Sequence, residues 1–347
     1  MKNILVTGAG ALLGQGILRC LSNSTNDYRI ITADPDVRST GHAIANKSYV
    51  IPYASSPDYL GRIEEIIRRE SIDVILIGTD VELVLFAENK KYLEAKYKII
   101  VVVSAPEVIN VANDKWLTAE FLRRTGFPYP KSALTSDVEA IKALTEECVY
   151  PYIAKPVDGA RSKGIKIIEN ESDLNAVCEY PNNLVIQEML TDDMGEFTTG
   201  CLVVGGKCVA VVSLTRDLRD GNTWRAYRSS KTSEYDKIIV AFAEALGVEG
   251  PANFQYRIKD GKPVIFEING RFSGTTPLRL MFGFNEVEAL LDYYLEGKSI
   301  SQPVLKEGVV LRVFSDLFIE SEVFTEFENK REIDGFSSIY YPFMKQQ

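Results

Sequence analysis

Short apolar segments alternate with amphipathic segments over the first 110 residues of the chain. Segments 4–6, 29–34, 73–77 and 99–103 are rich in β-branched and other apolar residues, which is typical of buried strands. Segment 58–70 instead repeats its apolar residues at helical spacing, with one stripe formed by Leu60, Ile63, Ile66 and Ile67. Strands that alternate with helices predict an α/β fold with a doubly wound parallel sheet.

The pattern changes near residue 110, where hairpin signals replace the alternation of strands and helices. Asn113-Asp114 can cap a new helix, which marks the start of a second unit. Gly205-Gly206 and Asp260-Gly261 each stand between two apolar runs, as the turns of two-residue hairpins do. Segment 216–228 is polar and basic, and we expect it to form a mobile loop.

The composition excludes several classes of function. The chain has 347 residues, of which 46% are hydrophobic, enough for two or three domains with buried cores. A net charge of −9 argues against sequence-independent nucleic-acid binding, which needs a basic surface. His42 is the only histidine, so a histidine-based triad or multi-histidine metal site is nearly excluded. The five cysteines form no CxxC pair, which indicates free thiols in a reducing compartment. No signal peptide and no apolar run of membrane length is visible, so we expect a cytoplasmic protein.

A predicted strand over 263–269 ends in alternating polar residues. Glu267, Asn269 and Arg271 occupy every second position, so their side chains should point to one face. Oxygen donors at this spacing suit Mg²⁺, and the arginine suits a phosphate or carboxylate that the metal also contacts. The preceding hairpin places Gln255 opposite as a third oxygen donor. The alternative interpretation is a surface strand end with an ion pair.

Segment 158–164 joins two predicted strands and is rich in glycine and basic residues. Glycines let backbone N–H groups approach phosphate oxygens, and basic side chains add positive charge. The segment lacks the ending and the following helix of a Walker loop, so it predicts a different phosphate-covering loop or, alternatively, a long basic hairpin. The candidate residues of this loop are Gly159, Arg161, Ser162, Lys163 and Gly164.

Two features of the first domain also suggest ligand binding. A glycine-rich turn from Gly8 to Gly14, followed by Asp34 at the end of the next strand, is similar to a dinucleotide fingerprint. The alternative is that these small residues pack a helix against a strand. Asp80 and Glu82 follow the strand over 73–77, where they could bind a substrate amine or hydroxyl or could instead cap a helix.

The order of these motifs resembles the ATP-grasp superfamily over about residues 1–298. Gln255 and the pattern Glu-x-Asn-x-Arg over 267–271 look most like one synthetase half of the large subunit of carbamoyl-phosphate synthetase. Many ATP-grasp ligases place an acidic metal ligand where Gln255 stands. The resemblance implies a parallel-sheet domain over 1–110, then an ATP-grasp small lobe over 111–190, a large lobe over 191–300 and an extension over 301–347 without an assigned role.

The resemblance also implies a role for each motif. Lys115 and Lys155 would contact the ATP phosphates, which the loop over 158–164 would cover. The hinge that reads the adenine edge would be formed by Glu188, Met189 and Leu190, and Gln187 belongs to the same motif. The ribose hydroxyls would be bound by Glu196. Gln255, Glu267 and Asn269 would hold Mg²⁺, with Mn²⁺ as a substitute. Arg271 would bind an acyl phosphate and would act in catalysis together with Lys155.

The implied activity is that of a ligase that joins a carboxylate to an amine. The carboxylate would attack the γ-phosphate of ATP, and the amine would then displace phosphate from the acyl phosphate. Arg216 and Arg225, with Asp80 and Glu82, are the candidates for contact with these small-molecule substrates. By analogy we expect a homodimer through the first domain.

Three alternatives remain open on the sequence alone. The first is a carbamoyl-phosphate synthetase-like enzyme that phosphorylates bicarbonate and carbamate, although only one synthetase unit is present. The second is an NAD(P)-dependent sugar-nucleotide enzyme that uses Gly8 to Gly14. The third is an ATP-binding regulator without catalysis.

Overall fold

The computed structural model describes residues 1–158, 164–180, 183–191, 193–336 and 338–341. Its first sheet is built from five parallel strands with helices between them. The N-terminal elements are β1 (Lys2–Thr7), α1 (Leu12–Ser22), β2 (Tyr28–Asp34), β3 (Lys47–Val50), α2 (Tyr59–Glu70), β4 (Val74–Leu76), α3 (Leu83–Tyr97), β5 (Ile100–Val102) and α4 (Pro106–Asn113). The parallel strands lie in the order β3-β2-β1-β4-β5. The predicted doubly wound sheet is therefore confirmed.

A four-stranded antiparallel sheet forms the next layer. Its elements are α5 (Lys115–Thr125), β6 (Ser132–Leu134), α6 (Val138–Glu147), β7 (Tyr152–Pro156), β8 (Lys166–Ile168), α7 (Glu171–Cys178) and β9 (Leu184–Glu188), with strand order β6-β9-β7-β8. Asp114 begins α5, because its carboxylate accepts the backbone N–H groups of Trp116 and Leu117. This small lobe has a core of its own, formed by residues such as Tyr152, Ile168 and Ile186.

A larger antiparallel sheet follows. Its elements are β10 (Glu196–Val204), β11 (Lys207–Arg219), β12 (Asn222–Arg228), α8 (Asp236–Leu246), β13 (Gly250–Lys259), β14 (Lys262–Asn269), α9 (Thr276–Met281) and α10 (Glu286–Glu296). The strand order is β14-β13-β10-β11-β12, and a later strand, β15 (Gly308–Leu311), joins next to β12. The expectation of a mobile loop over 216–228 is wrong, because β11 and β12 form a hairpin that covers most of this segment.

The N-terminal domain and the large lobe share one hydrophobic core. Ile17 and Leu18 of α1 belong to the same cluster of buried side chains as Leu214 of β11 and Leu290 of α10. Burial of each such side chain contributes about 1.5–3 kcal/mol to folding. The two units are therefore held together by apolar contact as well as by the chain connection.

The C-terminal residues connect both of these sheets. After β15 the chain forms β16 (Asp316–Phe318), α11 (Ser321–Lys330), β17 (Glu332–Asp334) and β18 (Ile339–Tyr341). β17 pairs antiparallel with β3, so it extends the N-terminal sheet, whereas β15 extends the sheet of the large lobe. No local pattern in the sequence indicates this double attachment. The division of the chain into units at residues 110, 190 and 300 remains our proposal.

Candidate active site

A cavity of about 290 Å³ lies between the small lobe and the large lobe. Strands of both antiparallel sheets contribute its walls. Its lining includes many of the residues that the sequence selects, namely Lys115, Lys155, Gln187, Glu188, Met189, Leu190, Glu196, Arg216, Gln255 and Glu267. The size and the mixed lining suit a small-molecule ligand that carries both apolar and charged parts.

Two lysines enter this cavity from the small-lobe side. Lys155 lies on β7 with only 7% of its surface exposed, and its ammonium is 5.8 Å from the centre of the Phe266 ring. Burial and the nearby Lys115 lower the pKa of Lys155 to about 8. Burial also lowers the pKa of Lys115. A buried amine next to a half-buried one favours an anionic ligand, which would raise both pKa values towards the ordinary lysine value.

The predicted metal ligands lie on two paired strands, β13 and β14. Gln255 on β13 lies opposite Glu267 on β14, and Asn253 lies opposite Asn269. The carboxylate oxygen Oε1 of Glu267 accepts hydrogen bonds from Gln255 Nε2 at 3.0 Å and from Asn269 Nδ2 at 3.3 Å. Among the described residues, no group of three or more His, Cys, Asp or Glu side chains is placed to hold a metal. One carboxylate with amide oxygens fits Mg²⁺, which takes its other ligands from phosphate and water.

Glu196 is held by two arginines at the same end of the cavity. Its Oε1 accepts from Arg216 Nε at 3.0 Å and Nη2 at 2.5 Å, and its Oε2 accepts from Arg257 Nη2 at 3.2 Å. Arg216 also donates to Gln255 Oε1 at 2.6 Å and to Thr223 Oγ1 at 3.1 Å. Glu196 thus lines the cavity as a carboxylate whose charge is compensated within the protein.

The side chains of the predicted hinge bind other protein groups. Gln187 Nε2 donates to Ser132 Oγ at 2.8 Å. Glu188 Oε1 accepts the backbone N–H of Lys131 at 2.9 Å, and its other oxygen forms an ion pair with Lys259. These contacts fix the strand end that precedes Met189 and Leu190. The carbonyl of Leu190 accepts a hydrogen bond from Arg257 at 3.0 Å, and a role of this segment as an adenine-reading hinge stays a prediction.

Arg271 faces the N-terminal domain. Its Nε donates to Asp80 Oδ1 at 2.7 Å, and its Nη1 donates to the carbonyl of Phe272 at 3.1 Å. Arg271 is 8% exposed, whereas the Asp80 side chain is 41% exposed. The contact joins the segment after β14 to the turn after β4, so Asp80 lies beside Arg271 although the two residues are 191 positions apart. Neither residue is among those that line the cavity.

Glu82, the neighbour of Asp80, is placed differently. It is 3% exposed and accepts hydrogen bonds from Thr7 at 2.9 Å, Thr79 at 2.6 Å and the Tyr59 hydroxyl. Burial raises the pKa of its carboxyl, although these three donors act in the opposite direction. Glu82 therefore stabilises the interior of the N-terminal domain, and we no longer propose it as a substrate ligand.

The remaining candidates fall outside the cavity wall or outside the described residues. Arg225 has 52% of its side chain exposed and pairs with Asp217 at 3.4 Å, so we no longer propose it either. Gly164 has a φ of +75°, which favours glycine. The other residues of the predicted phosphate loop, Gly159, Arg161, Ser162 and Lys163, lie outside the described residues.

The glycine-rich turn of the first domain serves close packing. A Cβ atom on Gly14 would lie 2.1 Å from the carbonyl oxygen of Gly8. Asp34 Oδ2, which a dinucleotide ribose would require, accepts the backbone N–H of Gly10 at 2.9 Å. This geometry explains the glycines and Asp34 without a bound dinucleotide.

One buried ion pair next to the site was missed at the sequence level. Arg279 is 1% exposed and donates from Nε and Nη2 to Glu286, both at 2.7 Å. It also donates to Thr275 Oγ1 at 2.7 Å, which fixes the turn that follows Arg271. A Cβ on Gly200 would lie 2.5 Å from the guanidinium carbon of Arg279. A lone arginine within an apolar stretch was the only available signal.

Comparison with known proteins identifies the class to which this arrangement belongs. Residues 112–275 match the family described as ATP-grasp domain, and residues 4–102 match the family described as PylC-like, N-terminal domain. The chain carries an ATP-grasp domain behind a PylC-like N-terminal domain, and the recognition of the ATP-grasp superfamily of ligases is confirmed.

Particular relatives agree with this assignment. The chain is 23% identical over 326 residues to the carbamoyl phosphate synthase large chain of Mesorhizobium japonicum and 26% identical over 314 residues to that of Thermoplasma acidophilum. Each match covers 80% of this chain but only 27% and 29% of the relative. The chain thus spans less than a third of the length of these relatives.

Solved structures show the same fold. The biotin carboxylase domain of 2-oxoglutarate carboxylase from Hydrogenobacter thermophilus, solved with MgADP and bicarbonate, superposes with a TM-score of 0.69 at 19% identity, covering 89% of this chain and 73% of that one. N5-carboxyaminoimidazole ribonucleotide synthetase from Thermotoga maritima superposes with a TM-score of 0.67 at 20% identity. This match covers 91% of this chain and 84% of that one.

Within the part of the chain that the structure describes, no helix is long and apolar enough to cross a membrane.

Proposed function

We propose that this protein is an ATP-dependent ligase that joins a carboxylate to an amine through an acyl phosphate and releases ADP and phosphate. The observation that carries the proposal is a cavity lined by Lys115, Lys155 and Glu267. Glu267 lies on the strand that ends at Asn269, two residues before Arg271. Phosphoryl transfer needs positioning and positive charge more than an activated protein nucleophile.

Each group has a defined task in the proposed reaction. Lys115 and Lys155 hold the phosphates of ATP and stabilise the negative charge of the transferred group. Glu267 and Asn269 would hold Mg²⁺, which, when bound, neutralises phosphate charge and orients the γ-phosphate. Arg271 binds the substrate carboxylate and then the acyl phosphate, because a guanidinium matches both groups.

Asp80 completes the proposed substrate site on the N-terminal domain. Its carboxylate has one oxygen on Arg271 and is 41% exposed, so it can accept hydrogen bonds from an incoming amine. Arg271 would bind the carboxylate and Asp80 would bind the amine, so their salt bridge would place the two reactants next to each other. A zwitterionic or amino-acid-like substrate suits this pair.

The bicarbonate-phosphorylating reaction is the second candidate. It is supported by the similarity to carbamoyl phosphate synthase large chains and by the structural neighbour solved with bicarbonate. The NAD(P) alternative lacks comparable support, because Asp34 and the glycine turn are committed to contacts within the domain. A cytoplasmic location and a homodimer remain part of the proposal, and the neighbour with MgADP was solved as a dimer.

The first experiment is a substrate panel with Mg·ATP. Pooled amino acids and small carboxylic acids are scored for phosphate release and for a condensed mass one water lighter than the two reactants. Phosphate release with bicarbonate alone would favour the second candidate. Bound ATP without turnover on any pool would favour the regulator.

The acyl phosphate is tested with isotopically labelled substrate. When the substrate carboxylate carries ¹⁸O, one labelled oxygen should appear in the released phosphate, because the carboxylate oxygen attacks the γ-phosphorus and leaves with it. Unlabelled phosphate, with amide still formed, would contradict the acyl-phosphate route.

A further inference from the structure

The guanidinium of Arg216 contacts Gln255, one member of the predicted metal-binding set. Arg216 is on β11, directly opposite Glu196 of β10, and its side chain is 8% exposed. It donates one hydrogen bond from Nε, one from Nη1 and two from Nη2, so four of the five guanidinium N–H groups are used. Within the described part of the chain the fifth N–H, on Nη1, has no acceptor, so it can donate to an oxygen in the cavity that Arg216 lines.

The contacts of Arg216 determine how Gln255 is oriented. A guanidinium can only donate and a carboxylate can only accept, so the Gln255 amide must turn its oxygen to Arg216 and its nitrogen to Glu267. The distances are 2.6 Å and 3.0 Å, respectively. The Gln255 oxygen that the sequence assigns to Mg²⁺ is therefore bound to a cation of the protein itself.

The rest of the strand end retains donors for one metal ion. Glu267 Oε1 accepts two amide N–H groups, whereas the hydrogen bonds of the described residues leave Glu267 Oε2 and Asn269 Oδ1 unused. One carboxylate oxygen and one amide oxygen, with phosphate oxygens and water, are a sufficient set for a single Mg²⁺. A second ion would need the Gln255 oxygen, the shared Oε1 of Glu267, or Glu196, which two arginines already neutralise.

We propose that Arg216 takes the place of a second metal ion, so that this site binds one Mg²⁺ with each ATP. The inference rests on the proposed function, because it assumes that the cavity binds Mg·ATP. Arg216 then supplies fixed positive charge beside the phosphates, as an arginine finger does in other phosphoryl-transfer sites. Gln255 acts as a positioning residue, because its amide holds the side chains of Arg216 and Glu267 at fixed positions. Its side chain is neutral, so Glu267 is the only carboxylate among the predicted metal ligands.

The test counts Mn²⁺ ions bound to the full chain by electron paramagnetic resonance at saturating adenylyl imidodiphosphate, a non-hydrolysable ATP analogue. We expect one tightly bound Mn²⁺ per bound nucleotide. Two ions per nucleotide would overturn the inference and leave the proposed function intact. Absence of any nucleotide or Mn²⁺ binding would overturn the proposed function, and the inference with it.

Variants separate the contribution of Arg216 from that of the amide. Gln255→Glu alone should still bind one Mn²⁺, because Arg216 pairs with the new carboxylate, whereas the double variant Arg216→Met/Gln255→Glu should bind two. A count that is the same in both variants would overturn the inference.

Arg216→Met alone should raise the Kd of the nucleotide about 10- to 100-fold. Arg123→Met is the matched control, because Arg123 has an exposed side chain paired with Glu120 on α5, and it should change neither the count nor the Kd.

Discussion

At the scale of single residues, the candidate site combines charges that oppose folding. Lys155 is 7% exposed, and its pKa falls to about 8 because burial and Lys115 disfavour the ammonium. Below about pH 8 both the folded and the unfolded state hold the proton, and the buried charge lowers stability in full. Between about pH 8 and the ordinary lysine pKa the folded state has lost the proton while the unfolded state still holds it, so the loss of stability decreases as the pH rises. An anionic ligand would remove this penalty.

Lys155→Met should therefore stabilise the protein and slow its reaction. At pH 7 we expect the free energy of unfolding to rise by about 1–3 kcal/mol, since a buried cation is replaced by an apolar side chain of similar length. ATP turnover should fall on the order of 10²–10³-fold because a phosphate ligand is lost. Urea unfolding and phosphate release measure the two effects.

The control for this prediction is Lys207→Met. The side chain of Lys207 is 78% exposed, so its replacement should change the unfolding free energy by less than about 0.5 kcal/mol. Loss of stability in Lys155→Met, or turnover at the unaltered rate, would contradict the role of a buried phosphate ligand.

Glu267 is the only carboxylate in the predicted metal-binding set, so its charge should dominate metal affinity. Glu267→Gln keeps the size of the side chain but removes the charge that Mg²⁺ requires. We expect the Kd of Mn²⁺ in the nucleotide complex to rise at least about tenfold, measured by metal titration. The exposed Glu328 on α11 gives the control variant Glu328→Gln. An equal metal affinity in both variants would show that the strand end is structural.

At the scale of elements, the sequence predicted those parts whose residues are close along the chain. The strand ending in Glu267, Asn269 and Arg271 could be recognised because alternation alone places its side chains on one face. The hairpin of β11 and β12 was missed, because its polar and basic residues hide the strand pattern. Their polarity follows from their position, since Arg216 faces the cavity and Arg225 faces solvent.

Long-range contacts could not be predicted from local patterns. The pairing of Arg271 with Asp80 and the pairing of β17 with β3 depend on how distant segments pack. Neither leaves a periodic signal within its own segment. The superfamily could still be recognised, because the order of the ATP-binding motifs along the chain can be seen without these contacts.

The C-terminal helix α11 should be a structural anchor of the first domain. Phe327 is 3% exposed, and its ring centre is 5.0 Å from that of His42 in an edge-to-face arrangement. Phe327→Ala should lower the free energy of unfolding by about 3–5 kcal/mol, because the truncation leaves a cavity. Phe318→Ala, at a residue that is 52% exposed, is the matched control. Nucleotide affinity should be the same in both folded variants, and a stability loss of equal size in both would contradict the anchor role.

At the scale of the whole molecule, the hydrophobic cores separate the sheet of the small lobe from the rest. The N-terminal domain and the large lobe share one buried cluster, and Leu122 of α5 packs with the large lobe, whereas the cluster under the four-stranded sheet contains small-lobe residues alone. Lys155 lies on this sheet and Glu267 lies on the larger body, so we expect the sheet to open separately. The lobes meet across the cavity that the nucleotide would fill.

Hydrogen exchange should show this separation directly. Without nucleotide, amides of β7 and β9 should exchange through openings of lower free energy than those of β1 or β13, because fewer buried contacts hold the small lobe. In the proposed function Mg²⁺ with adenylyl imidodiphosphate would bridge Lys155 to the strand end of β14, so protection should rise mainly in β7 and β9. At a hundredfold excess over Kd the added stability is about 2.7 kcal/mol. If protection instead rises equally in all three sheets, the small lobe does not open as a separate unit, and binding stabilises the molecule only through global unfolding.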